Sequence, residues 1–88
     1  MMGRAKREPD LSTYSGRVAA RIRELRSGKG WSVDDLHVRL KRRGVVIPVQ
    51  TLYSYERGKD AGGANIPLDL IPVFGKLFGS DTPSGWLP

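Results

Sequence analysis

The sequence predicts an all-α fold on three observations. Apolar residues recur three and four positions apart in successive segments, glycine and proline punctuate those segments at their ends, and a small chain without cysteine has to rest on side-chain packing. At 88 residues it buries only roughly 60 to 65% of the surface its unfolded form exposes, enough for one modest core and too little for a deep substrate cleft. With 39% apolar and 27% charged residues the composition is that of a folded globular domain.

Residues 1 to 14 are polar and charged and are interrupted by Pro9, so they read as a flexible basic arm carrying Arg4, Lys6 and Arg7. From Ser15 onward Val18, Ile22 and Leu25 form an amphipathic stripe, which predicts a first helix over about 16–27, broken by Gly28-Lys29-Gly30. Ser32 followed by Asp34 and Asp35 is a helix start, since the serine caps orphan amides and the carboxylates suit the positive helix end. Val33, Leu36 and Leu40 give this second helix, about 32–43, its buried stripe, and Arg39, Lys41, Arg42 and Arg43 suit the negative end of its dipole. Gly44 stops it. Val45-Val46-Ile47-Pro48 is a β-branched, extended connection with room for a two-residue strand.

Pro48 opens a third helix over about 48–57, which Gly58 closes. After a glycine-rich loop, a fourth helix is expected over about 67–78, closed by Gly79. Pro72 is its flaw, because a proline that late removes a backbone hydrogen bond unless the helix begins near Asp69. The tail, 80–88, is irregular. Its bulky pair Trp86-Leu87 either folds back over the core or docks on a second subunit, and folding back is the preferred reading.

Charge is unevenly spread. Before Gly44 stand 12 Lys+Arg and 5 Asp+Glu (12 − 5 = +7), and from Gly44 onward 3 against 4 (3 − 4 = −1). That asymmetry suits a polyanion held on one side, because each cation that neutralises a phosphate releases a counterion. Nucleic acid leads and an anionic membrane comes second. No apolar run is long enough to span a bilayer, and the charged start is not followed by a signal-like apolar stretch, so the expected setting is the cytoplasm, away from membranes.

The third helix has two unlike faces. Leu52 and Tyr55 look inward, while Val49, Gln50, Tyr53 and Ser54 look out, uncharged but able to hydrogen-bond. A major groove admits one helix, and there Gln can bond adenine bidentately, Ser several bases, and apolar or aromatic groups the thymine methyl.

Arg21-Ile-Arg-Glu-Leu-Arg26, Lys29-Gly-Trp-Ser-Val-Asp-Asp-Leu36, Thr51-Leu-Tyr-Ser-Tyr-Glu-Arg-Gly58 and Lys76-Leu-Phe-Gly79, taken in succession, resemble the Cro/C1-type (XRE family) helix-turn-helix of phage repressors and bacterial regulators. The likeness covers about residues 15–79. It implies a compact four- to five-helix bundle, a lambda-repressor-like DNA-binding domain, with the third helix as recognition helix. By that resemblance Val49, Gln50, Tyr53 and Ser54 are the base-reading positions, Ser32 and Val33 abut a phosphate at a helix start, and Arg57 and Lys59 touch the backbone. Thr51 and Arg43 complete the candidate phosphate set. The resemblance also pairs Arg26 with Glu56 as a structural ion pair between the first helix and the end of the third. Two departures stand out. Leu36 to Leu52 spans 16 positions, about five more than the family's tight turn allows, and His37 stands where relatives usually place a small alanine, so either the packing is looser or His37 leans outward.

Other chemistries have less to rest on. His37 has no second histidine or carboxylate cluster to complete a metal site or a catalytic pair. Asp34 and Asp35 are adjacent on a helix and point apart, and the scattered glycines lack the strand context of a phosphate loop. The expected function is sequence-specific double-stranded DNA binding by a repressor-like transcriptional regulator. It would need no enzyme activity, cofactor or metal, and would act as a homodimer whose recognition helices lie about one DNA turn apart. The alternative is a protein-interaction module, such as the antitoxin partner of a toxin, that keeps the same fold. RNA binding lacks an aromatic platform on a sheet.

Overall fold

The computed structural model describes residues 8–88. Arg4, Lys6 and Arg7, the basic part of the expected arm, lie outside the described residues. The described chain is all-α, with helices α1 (Tyr14–Gly28), α2 (Val33–Arg42), α3 (Val49–Tyr55) and α4 (Ile71–Phe78), short 3₁₀ turns at Lys59–Ala61 and Leu68–Leu70, and no strand among the described residues.

Helix α1 begins in a turn built by short polar side chains. The Asp10 carboxylate accepts from the Ser12 amide at 3.0 Å and hydroxyl at 2.6 Å. Thr13 donates its hydroxyl to the Asp10 carbonyl and accepts the Gly16 amide at 3.0 Å, which caps the helix. Residues 8–13 of the expected arm therefore fold onto α1, and Glu8 adds an ion pair to Arg23 at 2.9 Å. The turn lies so close to the helix that a Cβ on Gly16 would sit 1.7 Å from the Asp10 carbonyl oxygen. The buried line of α1 is Gly16, Ala19 and Ile22, with Val18 and Leu25 on its flank. The expected stripe of Val18, Ile22 and Leu25 is thus rotated toward the small residues, because the turn and Gly58 press on that side.

Helices α1 and α2 end in the same way. At Gly30 (φ 74°) the Trp31 amide bonds back to Arg26 and the Gly30 amide to Ser27; at Gly44 (φ 82°) the Val45 amide bonds to Leu40 and the Gly44 amide to Lys41. This double bond pattern with a left-handed residue satisfies carbonyls that the helix itself cannot. Helix α2 opens on a reciprocal cap: Ser32 Oγ accepts the Asp35 amide at 3.0 Å, and the Asp35 carboxylate accepts the Ser32 amide at 2.9 Å. The Ser32 amide, and after it the Ser32 hydroxyl, hold the Asp35 carboxyl below its ordinary value of 3.8.

Helix α3 is shorter than expected, and 56–57 form a turn beyond it. The Glu56 amide is shared between the Leu52 and Tyr53 carbonyls, which tightens the last turn before Gly58 takes φ 83°. Helix α4 starts at Ile71, after the 3₁₀ turn, so Pro72 is its second residue, where a missing N–H costs no helical bond.

The core gathers Ile22, Leu36, Leu40, Leu52, Phe74 and Trp86 with neighbours from every helix. Each such side chain contributes about 1.5 to 3 kcal/mol on burial. Trp86 comes from the irregular tail, which folds back across α4. Its indole N–H donates to the Ile71 carbonyl at 2.8 Å, its ring packs 6.1 Å from Phe74 and 5.8 Å from Phe78, and its carbonyl accepts from Arg21 Nε at 2.8 Å. Gly75 makes that crossing possible, since a Cβ there would stand 2.6 Å from the Pro83 carbonyl oxygen.

Candidate nucleic-acid interface

Helix α3 is fixed from its inner side. Leu52 and Tyr55 are buried in the core, and burial raises the Tyr55 hydroxyl above its ordinary value of 10.0. Glu56 is only 2% exposed. Its carboxylate takes a bidentate pair from Arg26, Nε at 2.6 Å and a terminal nitrogen at 2.9 Å, and Arg26 also donates to the Trp31 carbonyl at 2.7 Å. The carboxylate holds the Arg26 guanidinium further into its charged range. This pair joins α1, the start of α2 and the end of α3 in one polar knot.

The outer side of α3 presents Gln50, exposed, and Tyr53, 51% exposed. Ser54 is half-buried and donates its hydroxyl to the Gln50 carbonyl at 3.2 Å, which leaves its oxygen as an acceptor. Val49 departs from the expected set: it is half-buried and packs against the core, so the outward face narrows to Gln50 and Tyr53 with Ser54 beside them. The connection before α3 adds Val46, 70% exposed. It is irregular and pinned at two points, by the buried side chain of Ile47 and by His37, whose Nδ1 lies 2.6 Å from the Ile47 carbonyl. A carbonyl only accepts, so the proton sits on Nδ1. His37, half-buried rather than swung into solvent, thus holds the longer connection in place.

The candidate phosphate residues fall into unlike settings. Val33 is 4% exposed and in the core, so its side chain is withdrawn from any outside contact. Ser32 is exposed, but its amide is taken by Asp35, and the carboxylates of Asp34 and Asp35 place negative charge where a phosphate would have to sit. Thr51 is half-buried on α3. Arg57 is half-buried against the loop after α3, with a terminal nitrogen 3.4 Å from the Gly62 carbonyl and Nε buried without a hydrogen-bond partner, and Lys59 is exposed on the turn that follows. Arg43 is exposed as the last residue of the α2 cap.

Two features escaped the sequence reading. Trp31 carries Arg39 over its ring at 4.3 Å and stacks on Phe78 at 6.4 Å. Beside it Arg39, Arg42 and Arg43 share a cleft with Leu77 of α4. Only the basic run at the end of α2 signalled this cleft; the partner from α4 is a tertiary fact. No metal-holding group of histidine, cysteine or carboxylate side chains occurs among the described residues, and no helix among them is long and apolar enough to cross a membrane.

Comparison with protein-family models, with curated proteins and with solved structures returns no match to this chain.

Proposed function

We propose that this chain is a helix-turn-helix protein of lambda-repressor-like architecture that reads double-stranded DNA as a regulator of transcription and has no catalytic role. The observation that carries the reading is the exposure of Gln50 and Tyr53 on a helix whose opposite side is locked by Leu52, Tyr55 and the Arg26–Glu56 pair. A rigid helix with an uncharged, hydrogen-bonding outer side is what base-edge readout in a major groove requires. Lys59, exposed, and Arg57, half-buried, stand just past that helix, where backbone phosphates would lie, and Thr51 and Ser54 belong to the helix itself. The XRE resemblance of the sequence blocks supports the same assignment. A single module of this size buries little DNA surface, so a homodimer on a two-fold site is the working form.

Selection of bound sequences from a random duplex library tests the proposal, followed by titration of wild type and Gln50→Ala against the winner and a scrambled duplex. The expected result is a roughly 5- to 150-fold loss on the selected duplex with little change on the scrambled one. Failure to enrich any sequence overturns the proposal.

A protein-docking role, as for an antitoxin subunit, draws on one observation. Leu68, 81% exposed, borders an uncharged groove between Tyr14, Val18, Ile66 and Ile71. Under that reading Gln50→Ala leaves partner binding intact, whereas Leu68→Ser abolishes it.

A further inference from the structure

We infer that the cleft between the end of α2 and α4, lined by Arg39, Arg42, Arg43 and Leu77, is a phosphate-binding site, and that on DNA it grips a backbone phosphate apart from those beside α3. The second half of this inference rests on the DNA-reading proposal; the first stands on the cleft itself.

Three guanidinium groups from little more than one helical turn share one open space of about 250 Å³, room for about eight waters at roughly 30 Å³ each. None of the three has a carboxylate within ion-pairing distance among the described residues, although Arg21, Arg23 and Arg26 on α1 all do. Arg39 feels Asp35 one turn back only at longer range, so among the described residues Arg42 and Arg43 at the end of α2 have no direct carboxylate partner, while the start of the same helix is occupied by Asp34 and Asp35. A phosphate seeking α2 meets repulsion at its first turn and cations at its last.

The cleft is also partly preorganised. Arg39 lies over Trp31 with its guanidinium carbon 4.3 Å from the ring centre, a contact to the ring face that leaves the guanidinium N–H groups to donate to an anion. Trp31 is held in turn by Phe78 of α4. The Arg43 main chain is held at the cap, where its N–H donates to the Leu40 carbonyl, and Leu77 lines the cleft from α4. Planar N–H forks converging on one space suit the oxygens of a phosphate better than lysine point charges would.

Two experiments on the full chain separate the outcomes. In the first, inorganic tripolyphosphate is titrated while the arginine Nε–H signals are followed by NMR. Saturable shifts confined to Arg39, Arg42 and Arg43, and absent in Arg42→Ala/Arg43→Ala, support the site. Weak, non-saturating shifts over all exposed arginines overturn it. In the second, duplex affinity is measured against salt for wild type, for Arg42→Ala/Arg43→Ala, and for Arg17→Ala/Lys76→Ala, which removes the same charge elsewhere. Every phosphate that the protein ceases to neutralise lowers the slope of log K against log salt by about 0.9. A fall of about 0.9 in the cleft variant and no resolvable fall in the control supports the backbone grip, and equal slopes in the two variants overturn it while leaving DNA reading untouched. If wild type binds no duplex yet the cleft saturates with tripolyphosphate, the phosphate site stands and the DNA-reading proposal falls.

Discussion

Two glycines of α1 that look alike in the sequence are expected to respond to the same substitution with opposite sign. Gly28 closes the helix with nothing within 4 Å of the position a Cβ would take. Alanine there removes backbone freedom from the unfolded chain and gains helix propensity, so Gly28→Ala is expected to stabilise by about 0.5 to 1 kcal/mol. At Gly16 the same gain is available, but the new Cβ would lie 1.7 Å from the Asp10 carbonyl oxygen and 2.4 Å from its carbon. An ordinary contact needs 3.4 Å or more, so the main chain of the Asp10–Thr13 turn has to move by more than an ångström. That displacement breaks the Thr13 cap, worth about 1 kcal/mol, and adds overpacking of about 1 to 3 kcal/mol. After crediting the propensity gain, Gly16→Ala should cost about 2 kcal/mol, which in a domain of this size lowers Tm by about 8 to 16 °C. Thermal unfolding followed by circular dichroism at 222 nm reads both variants against wild type. A Gly16→Ala protein as stable as wild type would show that the turn does not hold its place on α1 and would refute the close packing assigned to Gly16.

The Arg26–Glu56 pair should behave as a buried pair. Glu56→Gln strands the guanidinium and is expected to cost about 3 kcal/mol in urea unfolding, whereas Arg26→Met/Glu56→Leu should recover more than half of that loss; a single variant within about 0.5 kcal/mol of wild type refutes the assignment. Acid lability should follow the two lowered carboxyls. Asp35 is depressed mainly by the Ser32 amide and Asp10 mainly by the Ser12 hydroxyl. Folding therefore favours their ionised forms, and their contribution is complete above the ordinary value of 3.8 and is lost as pH falls through the lower folded values. Tm plotted against pH should decline below about pH 4, less steeply in Asp35→Asn than in wild type; identical profiles count against the cap as the source.

Much of the fold was legible because its signals are local. The stripe of Val33, Leu36 and Leu40, the Ser32 cap and the stop at Gly44 are all written within one segment, and α2 stands within a residue of its expected bounds. Where the reading erred, a contact from elsewhere decided. The α1 stripe rotated because a turn and Gly58 press on Gly16 and Ala19, and Val49 turned toward the core because Leu52 and Tyr55 set the roll of a short helix. The segment Asp10-Leu11-Ser12-Thr13 did carry its own signal, since Asp, Ser and Thr ahead of a helix are capping residues, but the charged residues before it suggested an arm. Within the candidate interface, Gln50 and Tyr53 were readable from helical phase alone. The pinning of the connection by His37, and the arginine cleft against Leu77, depend on pairs 10 and more than 30 positions apart, which no local pattern encodes.

The crossing of the tail over α4 makes the described chain a closed ring. Arg21 and Trp86 meet from 65 positions apart, a contact whose closure entropy is among the largest the chain can incur, so it forms after the local helices and their nearer packing. Until it forms, Phe74 and Phe78 lack the ring that covers them. Trp86 therefore works as a clasp between α1 and α4: the two ends cannot loosen one at a time, and hydrogen exchange in both helices should report a single shared opening rather than independent fraying at each end.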